Sequence, residues 1–261
     1  MKIVWITHHL PGEESNPAWL NGNFRGGAEM SDAEYIAGCP VGISIEVIPS
    51  PIVEQYKDTI NDADRVVITG TDLLSDEAML FLATLKPMVF VHHRQARSLE
   101  RRVLLENAFP FVCHTPAHLA LESEWCDFAN KPKLVLSAFD AFEIKPSAKE
   151  PFAFAAARNH PLKGLDRARL HAEQNGMEFI VATDWSRADV LKTMSRAQWF
   201  IHLPFEFESE CRSVMEAILA GCEVITNDNV GITSFPMWRD RAWLRDEIIG
   251  AQLKFWNAVL Q

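Results

Sequence analysis

The stretch W-F-I-H-L-P-F-E-F-E-S-E-C-R-S-V-M-E-A-I-L-A-G-C-E-V-I-T-N, residues Trp199–Asn227, holds one full beat of this chain. W-F-I-H-L is a short apolar run of the kind a strand buried on both faces shows, and Pro204 ends it. An acidic loop follows, then a helix around Glu216 whose small A-x-x-A-G run lets it sit close to a sheet. E-V-I-T-N is the next strand. Strand, loop, helix and strand in this order predict a parallel α/β sheet.

The same beat extends in both directions. Upstream, apolar runs recur at K-I-V-W-I-T, I-S-I-E-V-I, R-V-V-I-T-G, M-V-F-V-H-H, F-V-C-H-T and K-L-V-L-S. Helix-period segments separate several of them, among them residues 75–85, where Ser75, Asp76 and Glu77 make a capped start, and residues 116–126. The pattern breaks at I-K-P-S-A-K-E-P, residues 144–151, a polar connector with two prolines. It resumes with F-A-F-A-A-A, helices near 164–174 and 187–196, and M-E-F-I-V-A-T. The chain closes on a helical segment, 238–260, with Trp243, Ile248, Leu253, Trp256 and Leu260 as its apolar positions. The expected fold class is α/β: two Rossmann-like domains facing a cleft, residues 1–146 and 147–237, with a C-terminal helix, 238–261, crossing back to the first. Ligands in such sheets bind beyond the carboxyl ends of the strands.

Composition narrows the function classes. The chain has 261 residues, 48% hydrophobic and 23% charged, with a formal net charge of −10, which is the balance of a soluble globular protein. The acidity argues against a large nucleic-acid footprint. No apolar run reaches bilayer length, and M-K-I-V-W-I-T reads as a first buried strand rather than a signal peptide. Five cysteines, Cys39, Cys113, Cys126, Cys211 and Cys222, carry no metal-type spacing. They read as free thiols in a reducing, cytoplasmic setting, and no metal is expected.

Three loops at strand ends carry chemistry-bearing residues. Gly26-Gly27-Ala28-Glu29 precedes a helix after the first strand, where glycine backbone and a helix N-terminus suit a phosphate. It is not the G-x-G-x-x-G fingerprint of dinucleotide binders. Arg158 and Lys163, in A-A-A-R-N-H-P-L-K-G, put two cations after the strand that opens the second half; they read either as surface charges on a solvated loop or as a pair able to neutralise a diphosphate. Glu208 and Glu216 are read two ways. Ser213 and Glu216 have capping-box spacing, which makes Glu216 structural, whereas Glu208 has no such use and points to a bound group.

Taken together, these pieces resemble the large family of retaining, nucleotide-sugar-dependent glycosyltransferases of the GT-B fold. Gly26-Gly27-Ala28-Glu29 is similar to that family's G-G-x-E, Arg158 with Lys163-Gly164 to its G-R-x-x-x-x-K-G, and Glu208 to Glu216 with the following A-G-C-E-V-I to its E-x7-E block. F-V-C-H-T-P-A-H-L resembles the strand and helix before its domain crossing. The resemblance implies a transferase that needs no metal. Glu208, with Ser209 beside it, would meet donor-sugar hydroxyls and Glu216 the ribose. Arg158 and Lys163 would hold the diphosphate and stabilise the leaving group, and Gly26 and Gly27 would close on the donor. One of His92 and His93 would stand near the sugar. The chain departs from the family at Ser209 and Cys211, where glycines are usual, and at Ser137-Ala138-Phe139-Asp140, where N-G-x-D is usual.

Arg94, Arg97 and Arg101 recur at helical spacing. They read either as a solvated helix face or as a surface for an acceptor, an anionic one on the sharper view. The alternatives to a small-molecule or glycan acceptor are a phage-type transferase acting on modified DNA bases and a non-catalytic nucleotide- or glycan-binding protein of the same fold.

Overall fold

The computed structural model describes residues 1–7, 27–92, 97–157 and 160–261. The chain divides into two compact units, Met1–Phe139 with Gly250–Gln261, and Asp140–Ile249. Among the described residues the first carries a six-stranded sheet and the second a four-stranded one. Every paired strand in them is parallel. This is the α/β fold with two parallel-sheet units that the apolar rhythm predicts.

In the first unit the strands are β1 (Lys2–Thr7), β2 (Ser44–Pro49), β3 (Arg65–Ile68), β4 (Met88–Val91), β5 (Phe111–Cys113) and β6 (Lys133–Leu134), in the order β2-β1-β3-β4-β5-β6. Helices α1 (Gly27–Ala37), α2 (Lys57–Asn61), α3 (Asp76–Thr84), α4 (Leu99–Glu106) and α5 (Pro116–Ser123) run between them. Side chains alternate between two cores, as a pleated strand requires. Val4, Ile6, Val66, Ile68, Val89 and Val91 enter one, and Ile3, Trp5, Val67, Met88 and Phe90 the other. Because both faces are covered, the strands read as unbroken apolar runs. Ser75 caps α3 by accepting from the Ala78 N–H at 3.0 Å, as its sequence predicts.

In the second unit β7 (Glu150–Ala156), β8 (Glu178–Ala182), β9 (Ala197–His202) and β10 (Glu223–Thr226) lie in the order β10-β9-β7-β8. Helices α6 (Leu165–Gln174), α7 (Arg187–Arg196) and α8 (Arg212–Leu219) connect them. Helix α9 (Arg241–Val259) ends the chain, and from Gly250 onward it belongs to the first unit. There Phe255 stacks on Tyr35 with ring centroids 4.1 Å apart, and the Trp256 indole N–H donates to the Tyr35 carbonyl at 2.9 Å.

The apolar face of α9 differs from the one the sequence suggests. Leu253 and Leu260 are exposed, whereas Leu244, Ile248, Ala251, Phe255 and Val259 are buried. Those five recur at three- and four-residue spacing, which is the true stripe. Ile248 and Trp256 are buried, as the sequence suggests. No helix among the described residues is long and apolar enough to cross a membrane.

Phe255 is fully buried among Trp5, Tyr35 and Phe90. We expect Phe255→Ala to cost about 3–5 kcal/mol by urea denaturation. A cost under 1 kcal/mol would mean that this end of α9 is not part of the first unit's core.

Candidate functional site

The second unit gathers charged side chains from the carboxyl ends of its strands, and two of its carboxylates are the centres. Glu208 lies in the loop after β9. Its N–H donates to the Asn229 carbonyl at 2.7 Å, and its own carbonyl accepts from the Gly231 N–H at 2.8 Å, so the loop is tied as a short parallel bridge to the segment after β10. Asn227 and Asn229 donate side-chain N–H groups to the Pro204 carbonyl, each at 3.0 Å, and hold the base of that loop.

Lys163 reaches the same carboxylate from another strand end. It sits in a short 3-10 turn, Pro161–Lys163, after β7, and Gly164 follows in the left-handed region with φ +68°. A Cβ at Gly164 would collide with the Leu203 carbonyl oxygen. Glycine there serves both the turn and the close approach of two backbones. The Phe205 N–H then donates to the Leu162 carbonyl at 2.9 Å. With the two loops clamped, Lys163 Nζ stands 3.1 Å from Glu208 Oε1, and His202 Nε2, at the end of β9, stands 3.0 Å from the same oxygen.

Burial alone would raise the Glu208 carboxyl, but the hydrogen bond from His202 and the charges of His202 and Lys163 outweigh it and hold it at about 2. Burial would likewise lower His202; the Cys211 sulfur and the Glu208 carboxylate reverse that and raise it to about 10. The result is a carboxylate kept charged between two cations.

Glu216 is the second centre. It lies in α8 among Val214, Met215, Ala217 and Ile218, all buried. A charge in such surroundings must be paired. Arg187 Nη1, from the start of α7, donates to Glu216 Oε1 at 2.7 Å, and Arg212 Nε, one turn earlier on α8, donates to it at 2.8 Å. Arg187 also reaches Glu143 at 3.2 Å. The capping-box reading of Ser213 and Glu216 is therefore corrected. The helix begins at Arg212 with Cys211 at the N-cap and no side-chain cap, so Ser213 already lies inside the first turn. Ser209 is buried in the loop between the two glutamates.

Other predicted positions fall out differently. Arg158, Gly26, His93 and Arg94 lie outside the described residues, and Gly27 opens α1. His92 is buried in the first unit, with Nε2 2.8 Å from Asp32 Oδ1 and Nδ1 3.1 Å from His114 Nε2. Both ring nitrogens are engaged within the protein. Asp32 Oδ2 also accepts from the hydroxyls of Thr7 and Thr69 at 2.9 and 2.6 Å.

Arg101 is a correction. It is 2% exposed, faces Glu122 at 3.3 Å, and lies over the Trp125 ring at 5.2 Å, so it is no acceptor surface. Arg97 precedes α4, whose cap is Ser98, and therefore shares no helix face with Arg101. It donates to Glu124 at 2.8 Å. His202, Arg187 and Arg212 were missed. His202 ending the strand six residues before Glu208 was the visible signal, while nothing in the sequence linked Arg187 to Glu216.

No protein-family model matches the chain, and no curated protein matches it by sequence. Solved structures do match in fold. HepE from Anabaena, in complex with UDP and glucose, superposes with a TM-score of 0.61 at 14% identity over 100% of this chain and 92% of that one. Sucrose-phosphate synthase from Thermosynechococcus elongatus gives 0.63 at 12% identity over 99% and 95%. AviGT4, a glycosyltransferase involved in avilamycin A biosynthesis, gives 0.56 at 14% identity over 100% and 94%. The chain has the GT-B fold of nucleotide-sugar glycosyltransferases.

Two outcomes are expected. Gly164→Ala should cost at least about 2 kcal/mol, from left-handed strain together with the clash at Leu203; equal stability of variant and parent in urea would refute the clamp. The second concerns pH. Glu208 is lowered from 4.5, so its contribution is present above pH 4.5 and lost toward pH 2. His202 is raised from 6.5, so its contribution is full below pH 6.5 and lost as pH rises through about 10. The stability gap between the parent and His202→Gln should therefore narrow from pH 6.5 to pH 10. A gap constant over that range would show that His202 is not charged in the fold.

Proposed function

We propose that this protein is a retaining glycosyltransferase that moves a sugar from a nucleoside diphosphate to an acceptor without a metal ion. The observation that carries the reading is the meeting of Lys163, His202 and Glu208 in the same unit as Glu216 with Arg187 and Arg212, on a fold shared with a protein solved in complex with UDP and with a glycosyltransferase of avilamycin A biosynthesis. Lys163 supports it as a cation that can turn from Glu208 to a diphosphate oxygen. Arg158 is assigned the same task from its place in the sequence. Charge that builds on the leaving diphosphate is then stabilised by side chains in place of a Lewis acid.

Glu208 is assigned to hydroxyls of the donor sugar, Ser209 to the backbone approach beside it, and Glu216 to the ribose. Two arginines hold the Glu216 carboxylate through one oxygen, Oε1. In this reading Oε2 accepts from a ribose hydroxyl, and Arg187 and Arg212 are positioning residues. In the transfer, the bond from the anomeric carbon to the diphosphate breaks and a bond to the acceptor oxygen forms on the same face. The acceptor proton leaves with the diphosphate. All five cysteines are free thiols, which fits a cytoplasmic setting. The arginine surface proposed for an anionic acceptor or for DNA loses Arg101 to Glu122, and no observation favours those readings.

The test is a thermal-shift panel of UDP, GDP, ADP, dTDP and their sugars in chelator. One nucleotide is expected to stabilise the protein selectively, by about 2.7 kcal/mol at a hundredfold excess over Kd. Glu216→Gln should weaken that nucleotide about tenfold or more, the cost of a hydrogen bond to a charged group. No shift with any nucleotide would sink the reading. Binding without sugar transfer or donor hydrolysis would leave a binding protein. NMR of the product's anomeric centre decides retention.

A further inference from the structure

We infer that His202, Glu208 and Cys211 form a binding site for a thiophilic divalent cation, Zn2+ being the natural probe. Their donor atoms, an imidazole nitrogen, a carboxylate oxygen and the Cys211 sulfur, all lie within 4.8 Å of one another. The nitrogen and oxygen are already 3.0 Å apart. With bonds of about 2.0–2.3 Å, neighbouring ligands of a tetrahedral zinc ion sit roughly 3.5 Å apart, so small side-chain rotations would close the set. Nitrogen, oxygen and thiolate sulfur together suit zinc and its neighbours rather than magnesium or calcium. Three protein ligands leave a fourth position open to water, unlike the closed four-ligand set of a structural zinc site.

The backbone gives a second, independent observation. Cys211 has φ +70° and ψ 84°, left-handed backbone that a side chain bearing a Cβ adopts at a cost. Glycine would hold the same turn without strain. Strain of this kind clusters at active sites and ligand clamps, and here it accompanies a thiol beside His202 and Glu208. The local supports are those a ligand set needs. His202 is fixed by strand β9, its carbonyl accepting from Thr226 Oγ1 at 2.7 Å, and Glu208 is fixed by the Asn229 and Gly231 hydrogen bonds.

Lys163 shapes the affinity. It shares Glu208 Oε1 with His202, so a bound cation meets a neighbouring positive charge and either takes the other carboxylate oxygen or displaces the ammonium. The ion must also displace the proton of His202, and the two competitions keep the binding reversible. Under the proposed function Glu208 also serves the donor sugar, so an occupied cation site excludes the donor. This consequence rests on that reading, whereas the binding of the ion does not.

The experiment titrates the reduced, chelator-stripped full chain with Co2+ and follows the thiolate-to-cobalt charge-transfer band and the tetrahedral d–d bands. The expected result is a band that saturates at one equivalent and is bleached by Zn2+. Cys211→Gly should abolish it while still folding, because glycine suits the φ. Its zinc affinity should fall by more than the 10- to 100-fold that loss of an outer-shell partner costs. Cys222→Ser, at a thiol bound instead to Lys149 and Met194, should leave the band unchanged. Absence of a band, or one that survives Cys211→Gly, overturns the site. Zinc should also raise the apparent Kd of the stabilising nucleotide sugar in the parent and not in Cys211→Gly. An unchanged Kd overturns the exclusion. A cobalt band in a protein that binds no nucleotide sugar leaves the cation site standing and sinks the transferase reading alone.

Discussion

A carboxylate taken out of water has to be met by positive charge, and this requirement organises the second unit. Glu208 and Glu216 are eight residues apart in sequence, one in a loop and one inside an apolar helix, and each is met by two cationic groups. Removing one partner of a buried pair leaves an uncompensated charge, at a cost of about 3–5 kcal/mol, although the intact pair adds little net stability. Such pairs therefore fix geometry more than they stabilise. Lys163, Arg187 and His202 come from the ends of different strands, and the carboxylates oblige those ends to keep their relative positions.

That obligation is met by backbone features that carry no charge. Gly164 lets the Lys163 turn lie against Leu203, and Asn227 and Asn229 hold the Pro204 carbonyl. The ion pairs are thus preorganised by sheet topology and loop hydrogen bonds rather than assembled from flexible side chains. The first unit solves the same problem with fewer charges. Asp32 is satisfied by Thr7, Thr69 and His92, and His114 Nδ1 finds the Val135 carbonyl at 3.0 Å. The polar centre of the second unit leaves Lys163 about one-third exposed.

The strands were legible because both faces of each sheet are covered, which turns every strand into a continuous apolar run such as K-I-V-W-I-T. The start of α3 was legible for a local reason, since Ser75 before Asp76 and Glu77 is itself a capping signal. Pairings between elements were not. Arg187 meets Glu216 across 29 residues, and Arg101 meets Glu122 across 21. Periodicity counts a face but does not say what covers it, so Arg101 read as surface although Glu122 and Trp125 bury it. Ser213 was misread because a capping box depends on where the helix begins. The left-handed Cys211 sets that start, and φ is not written in a cysteine.

The resting arrangement also bears on how the proposed reaction would begin. Lys163 is held by Glu208 in the ligand-free chain, so a diphosphate must compete with a carboxylate for the ammonium, and a sugar hydroxyl must compete with the ammonium for the carboxylate. Two exchanges made together cost less than either alone, since each releases the group the other needs. A bare diphosphate makes only the first exchange and leaves Glu208 with His202 alone. A complete nucleotide sugar makes both. On the proposed reading the site would discriminate between donor and spent nucleotide by pairing charges, with His202, raised to about 10, keeping the carboxylate met throughout.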